Sequence, residues 1–396
     1  MKIQYIILTV LILSSALPYP NDNISNLLAK PYIPESNSVV LETLPASRDP
    51  QIKNLHSLRN QLSKTPNDLA LAIRLARAYL QLGHTKADPR YDGYAQAALA
   101  PWWSKENPPP DVLILRATLR QRRHDFDQAL KDLTQVLTVQ PNNPQAWLTQ
   151  AVIQQVQGNY RDARRSCLPL LRLTSSLIST ACMANASSLN SQAEENYQSL
   201  EKVVSNAIDS ASQEKLWALT LLAEMASRLG NDASAERHFL EALNIDEKDN
   251  YLLGAYSDFL LEHRRATEVQ ALLEGTVKSD GLLLRLALAE QQLNTSKLEK
   301  HVSLLKARFA ENELRGEARH LREEARFSLH LLHQPTQALA LAQKNWDIQR
   351  EHWDARILLE AAIQSENHSA AQPVIDALIA NDTEDTQLKR LIGQLL

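Results

Sequence analysis

The stretch HDFDQALKDL, residues His124 to Leu133, returns 34 residues later as GNYRDARRSC, residues Gly158 to Cys167. Phe126 is replaced by Tyr160 and Ala129 by Ala163, so an aromatic and a small residue three places on recur together. Upstream, the same offset links Leu113 to Trp147 and Ala117 to Ala151. A unit of this length cannot bury its apolar face alone. A fixed period of 34 therefore marks an array in which each unit stacks on its neighbours.

Each unit reads as a pair of helices. From Asp111 to Arg122, Val112, Leu115 and Leu119 share one stripe at helical spacing. His124 and Asp125 interrupt, and a second helix carries Phe126, Ala129, Leu130, Leu133, Val136 and Leu137 on one side. Pro141 and Pro144 end it and open the next unit. Ala117 and Ala129 suit a close crossing of the two helices, where a large side chain would force them apart.

In this pattern the chain resembles the tetratricopeptide repeat family. Trp147, Ala151, Gly158, Tyr160 and Ala163 match most of the family pattern, as do Leu113, Ala117, Phe126, Ala129 and Pro141 one unit earlier. Leu219, Ala223, Gly230, Ala235, Phe239 and Ala242 form a third good match. Its successor has Leu253, Ser257 and Val269, and Ala338 and Gln372 are again 34 apart. The segments around Leu75, Ala193 and Leu286 are helical in pattern but off register. About nine hairpins are expected over most of residues 66 to 380. The resemblance implies an all-α, right-handed superhelical solenoid of antiparallel hairpins. It also implies a concave groove, lined by the first helices, in which ligands lie. Only 9 Gly and 5% aromatic residues agree with a helical protein.

Four segments are expected. Residues 1–16 read as an export signal: Lys2, then the apolar run Ile6 to Leu13, then Ser14, Ser15 and Ala16 at the cut. Residues 17–49, rich in Pro, Ser and Asn, read as a flexible leader. Residues 50–382 form the array, and residues 383–396 a capping helix with a polar outer face. The expected location is therefore exported, periplasmic or secreted. Such a compartment permits a disulfide between Cys167 and Cys182, which fall on helices that should pack; two buried thiols, the commoner arrangement, are the expectation and the bridge is the alternative.

Catalytic motifs are missing: there is no Gly-rich phosphate loop, no GxSxG and no HExxH. His330 and His333 lie three apart with His320 farther back, but a zinc site needs a further converging ligand, so they read as surface histidines. REEAR, residues 322–326, reads as ordinary surface ion pairs. With 42 basic against 46 acidic residues, a net charge of −4 and no dense basic run, nucleic acid and stable membrane insertion are disfavoured, and no cofactor or metal is implied.

Two features are candidates for partner binding. Arg116, Arg120 and Arg123 form a stripe on one helix, continued one repeat later by Gln150 and Gln154. Their forked donors could hold a carboxylate or peptide backbone; the alternative is pairing with Asp125, Asp127 and Asp132. The segment DPRYDGYAQAALAPWW, residues 88–103, reads as a lengthened loop concentrating Tyr91, Tyr94, Trp102 and Trp103. Adjacent tryptophans on a helix cannot both face one core, so one is either exposed for binding or wedged between the first two hairpins. The expected function is a non-enzymatic scaffold that binds a peptide or protein surface in the concave groove. The alternative is a small-molecule or glycan-binding component of an envelope pathway, in which a compact pocket replaces the long groove.

Overall fold

A left-handed residue closes the first helix of one hairpin after another. His124, Gly158, Gly230, Arg264, Asn294, His333 and Glu366 all have φ between 52° and 81°. At six of these turns the next residue donates its N–H five residues back: Asp125 to Arg120, Asn159 to Gln154, Asn231 to Ala226, Arg265 to Leu260, Thr295 to Glu290 and Asn367 to Ala362. These bonds satisfy carbonyls that a helix end otherwise leaves open, and the left-handed residue turns the chain back on itself.

The structure is a computed structural model that describes residues 34–36, 39–40, 49–86, 88–188, 192–207, 211–275, 279–314 and 320–396. The expected signal and nearly all of the expected leader lie outside the described residues. The chain divides into Met1–Arg48 and Asp49–Leu396, and the second unit carries the helices. Helix α1 (Pro50–Lys64) is followed by hairpin α2 (Leu69–Lys86) and α3 (Arg90–Ala98), then the single turn α4 (Ala100–Trp103). Hairpins α5 (Pro110–Arg122) with α6 (Phe126–Val139) and α7 (Pro144–Val156) with α8 (Tyr160–Cys167) come next, then the turn α9 (Leu170–Leu173). The middle consists of α10 (Ser176–Ser187) with α11 (Ala193–Asn206), α12 (Ser212–Arg228) with α13 (Asp232–Leu243), and α14 (Asn250–Glu262) with α15 (Ala266–Leu272). The last part is α16 (Asp280–Leu293) with α17 (Leu298–Leu314), α18 (Leu321–His330) with α19 (Pro335–Trp346), α20 (His352–Gln364) with α21 (Gln372–Ala380), and α22 (Thr386–Leu395). Among the described residues there is no strand, and no helix is long and apolar enough to cross a membrane.

Local chemistry sets the starts. Pro110, Pro144 and Pro335 stand in the first turn of their helices, where a missing N–H costs nothing. Asn143, Asn231, Asp249 and Asp385 accept from backbone N–H groups at the starts of α7, α13, α14 and α22. The small residues of the repeat, Ala117, Ala129, Ala151, Ala163, Ala223 and Ala235, are buried at the crossings, with Phe126 and Phe239 beside them. The off-register segments around Leu75, Ala193 and Leu286 are helices α2, α11 and α16.

Two local expectations change. Residues 90–98, read as part of a lengthened loop, are the second helix of the first hairpin, with Ala95 and Ala98 buried against α2. Gly93 obscured the pattern; it sits on the open side, with nothing within 4 Å of where a Cβ would be. The capping helix proper starts at Thr386, because Asp385 is its N-cap.

Cys167 on α8 and Cys182 on α10 are not two buried thiols, as expected, but are joined by a disulfide: the packing of α8 on α10 brings their Cα atoms to 5.7 Å, within bridging range. It clips two successive hairpins at a buried position between Ala163 and Ala186. The sequence separation is 15, a loop length for which such a link contributes about 3 kcal/mol. Reduction, or Cys182→Ser, should therefore lower the urea midpoint by an amount corresponding to about 2–4 kcal/mol. Identical urea curves with and without reductant would contradict this.

Candidate functional site

The arginine stripe is used inside the chain. Arg116 is 5% exposed. Its Nε and Nη2 donate to the two oxygens of Asp132 on α6 at 2.9 and 2.7 Å, and its Nη1 donates to the carbonyls of Trp103 and Lys105 at 2.6 and 3.0 Å. Arg120 donates to the same Asp132 at 2.6 Å and to the carbonyl of Gln128. Gln154 accepts from Ser166 of α8 at 2.7 Å. The stripe thus faces the second helix of its own hairpin. A sequence signal for this existed: the equivalent places in later repeats hold Leu222 and Tyr256, both buried. Arg123 and Gln150 are half-buried, and each has a buried side-chain atom with no partner among the described residues.

The aromatic segment closes the amino-terminal end of the array. Tyr91 and Tyr94 cluster with Tyr79 of α2 at centroid distances of 5.5 to 6.1 Å, Tyr94 being the most exposed. Trp102 is buried in that core and Trp103 packs at its margin.

The groove itself has an unexpected form. The carboxy-terminal hairpins return to the first-helix ends of earlier hairpins. The Arg350 N–H donates to the Val156 carbonyl at 2.7 Å, and Tyr160 Oη donates to the Arg350 carbonyl. Thr386 Oγ1 donates to the Arg228 carbonyl, and Glu384 accepts from the Ala193 N–H. Arg356 and Gln387 both bind Glu262. At the other end, Asn250 reaches the His84 carbonyl. One turn of the solenoid therefore lies against the next, and the concave space is narrowed to a chamber of about 240 Å³.

The chamber wall is charged. Asp258 of α14 is held between Arg285 of α16 at 2.5 Å and Arg326 of α18 at 2.8 Å. The Arg326 and Arg356 guanidiniums lie 3.9 and 4.2 Å from the Trp353 ring centroid. Arg322 pairs with Glu351 at 3.0 Å and Asp354 at 3.4 Å, and His352 with Asp385 at 2.5 Å. Arg322 and Arg326, expected on the surface, are thus turned to the chamber wall. Their charges are paired across hairpins about 30 and 70 residues away, with Glu351 and Asp258, distances at which no local spacing rule operates; Glu323 pairs with the adjacent Arg322. His330 pairs with Glu360 at 3.2 Å, and among the described residues no cluster of His, Cys, Asp and Glu has metal-site geometry.

Burial raises a carboxyl pKa, and facing cations lower it. At Asp258 burial is opposed by Arg285 and Arg326, which prevail and hold it at about 2. Glu360 is likewise brought to about 2, by His330 and Arg356 against the effect of burial. Burial dominates at Asp354, which rises to about 6, and at Glu224, whose carboxyl is raised although Arg228 and Tyr251 oppose it.

One part of the wall is not internally paired. Tyr251 donates to both oxygens of Glu224 at 2.9 and 3.1 Å, but Glu224 has no cation within 4 Å among the described residues. Arg228, one helical turn away, has no anion within that distance, and its Nε is buried without a partner. Gln155, Asn185 and Ser227 line the same region. Tyr251 also lines the chamber and keeps 60% of its surface uncovered, and burial raises its phenol pKa.

Asp258 yields a test. Its folded pKa of about 2 lies below the unfolded value of about 3.9, so its stabilisation is present above the unfolded value and is lost as pH falls towards 2. Asp258→Ala strands two buried guanidiniums and should cost about 3–5 kcal/mol at neutral pH. The gap between variant and wild type should shrink as the pH is lowered from about 4 to about 2. Chemical denaturation across that range measures it, and a pH-independent gap would contradict the assignment.

Residues 114–176 match the sequence model of the tetratricopeptide repeat. Among solved structures, the APC/C hetero-tetramer Cut9–Hcn1 is similar with a TM-score of 0.55 at 14% identity, over 87% of this chain and 72% of that one. A tetratricopeptide repeat protein from Parabacteroides merdae is similar at 13% identity, over 78% and 92% of the two chains, with a TM-score of 0.24. The P58(IPK) TPR domain is similar at 15% identity, over 83% and 97%, with a TM-score of 0.25. No curated protein matches. At such identities, the likeness to the Cut9–Hcn1 structure speaks for the fold alone. With the 34-residue period, the repeated left-handed turns and the stacked hairpins, it leads to one assignment: the chain folds as an all-α solenoid of antiparallel helical hairpins of the tetratricopeptide type, and residues 114–176 match the sequence model of that repeat.

Proposed function

We propose that the chain is a non-enzymatic interaction scaffold, exported from the cell, that binds a peptide or protein segment from its concave side, and that the contact surface is the chamber. The observation carrying this reading is the uncommitted wall: Glu224, Arg228, Gln155, Asn185 and Ser227 converge on one space, whereas the surrounding charges are paired with each other. Buried polar groups left open are costly, and a guest that satisfies them recovers that cost as affinity. The return of the carboxy-terminal hairpins favours a short extended segment or a chain end as the guest over a folded surface.

The chamber's small size also favours a second reading, a small-molecule ligand, in which Tyr251 supplies the stacking surface.

The test is selection of peptides from a random library on the intact chain, followed by affinity measurement on wild type, Arg228→Gln and Arg116→Ala. Selected peptides should bind Arg228→Gln at least about tenfold more weakly, the scale of one lost charge-assisted hydrogen bond. Arg116→Ala should affect stability more than affinity. Peptides that bind wild type and Arg228→Gln equally would rule out the chamber as their site.

A further inference from the structure

Glu224 and Arg228 stand at i and i+4 on α12, with the acid toward the amino end. That spacing and order ordinarily bring the two side chains into contact. Here they do not pair. Glu224 is turned to Tyr251 of the neighbouring α14, and the Arg228 Nε is buried with no partner among the described residues. Arg228 is also fixed at its backbone, where its carbonyl accepts from Thr386 across the seam. An anion and a cation are thus held apart along one polar wall, each with unfilled bonding capacity. The neutral donors and acceptors of Gln155, Asn185 and Ser227 lie on the same wall.

We infer that the chamber binds a small zwitterion, a free α-amino acid, with its carboxylate on Arg228 and its ammonium on Glu224. The chamber, of about 240 Å³, has room for one such guest. The guest completes both ion pairs at once without asking either side chain to leave its present hydrogen bond or backbone anchor. Because the two charges of the guest are covalently linked, the second pair forms without a further loss of translational freedom. Tyr251, with its uncovered ring, contacts the guest's side chain. This inference rests on the second reading of the chamber, a small-molecule ligand in place of a peptide segment, and it names the chemistry of that guest.

The experiment is titration calorimetry of the intact chain with free α-amino acids. For each one, the matching amine without the carboxylate and the matching acid without the amine serve as single-charge probes. At least one amino acid should bind at least about tenfold more tightly than either of its single-charge counterparts, as expected when two charge-assisted contacts are made rather than one. Glu224→Gln keeps an oxygen for Tyr251 and should remove the advantage over the acid; Arg228→Gln should remove the advantage over the amine. Thermal unfolding of both variants checks that the fold is intact. Failure of every amino acid to bind at about 10 mM, a weak-binding limit, overturns the inference, as does binding in which one single-charge probe equals the zwitterion. If library-selected peptides still depend on Arg228 in that event, the chamber stands as a site and only the identity of its guest is wrong. If they do not, both readings fall.

Discussion

At the end of α7 the carbonyl of Val156 has no further helical turn to accept from. It accepts instead from the Arg350 N–H, which belongs to a hairpin almost 200 residues later. The contact is close because Gly158 has no side chain: a Cβ there would lie 3.1 Å from Arg350 Cδ and 3.3 Å from its Cβ. The same glycine has φ of 77°, as the hairpin turn requires. One residue therefore both reverses the chain locally and lets one turn of the solenoid settle on the next. The chamber and its buried charges follow from that apposition. Without it the concave face would be an open groove.

The closed interior explains why so many charged side chains sit on first helices. Moving a charge out of water costs several kcal/mol after relaxation. The wall meets that cost by pairing: Asp258 with two arginines, Glu262 with Arg356, Glu351 with Arg322. Such pairs specify geometry more than they add stability, because each fits only one arrangement of hairpins distant in sequence. Glu224 and Arg228 depart from the pattern and so mark the part of the wall directed to something other than the chain itself.

The hairpins were readable in the sequence because they are built from contacts within about 40 residues. Phe126, Ala129, Tyr160 and Ala163 report one crossing each, and the period repeats the report. The long reach of the seam leaves no such trace. REEAR at 322–326 has the spacing of surface pairs, and only the return of the chain shows that Arg322 and Arg326 face Glu351 and Asp258. Arg116 is intermediate. Its charge suggested a ligand, but the apolar residues at the equivalent places, Leu222 and Tyr256, already indicated an inward position. Tyr251 and Glu224 were missed because a tyrosine and a glutamate on different repeats carry no motif.

The apposition of Gly158 and Arg350 is the claim on which the chamber depends, and it can be tested by a cross-link. In the double variant Gly158→Cys with Arg350→Cys the two Cβ atoms fall near 3.3 Å, close to the separation of about 3.5–4.5 Å found in disulfides. The native cysteines are joined to each other, so no other thiol competes among the described residues. Mild oxidation of the folded monomer should form the 158–350 link, detected by peptide mapping, and oxidation in denaturant should form it far less. Two thiols that stay free in the folded monomer would show that the turns do not meet and that the groove is open.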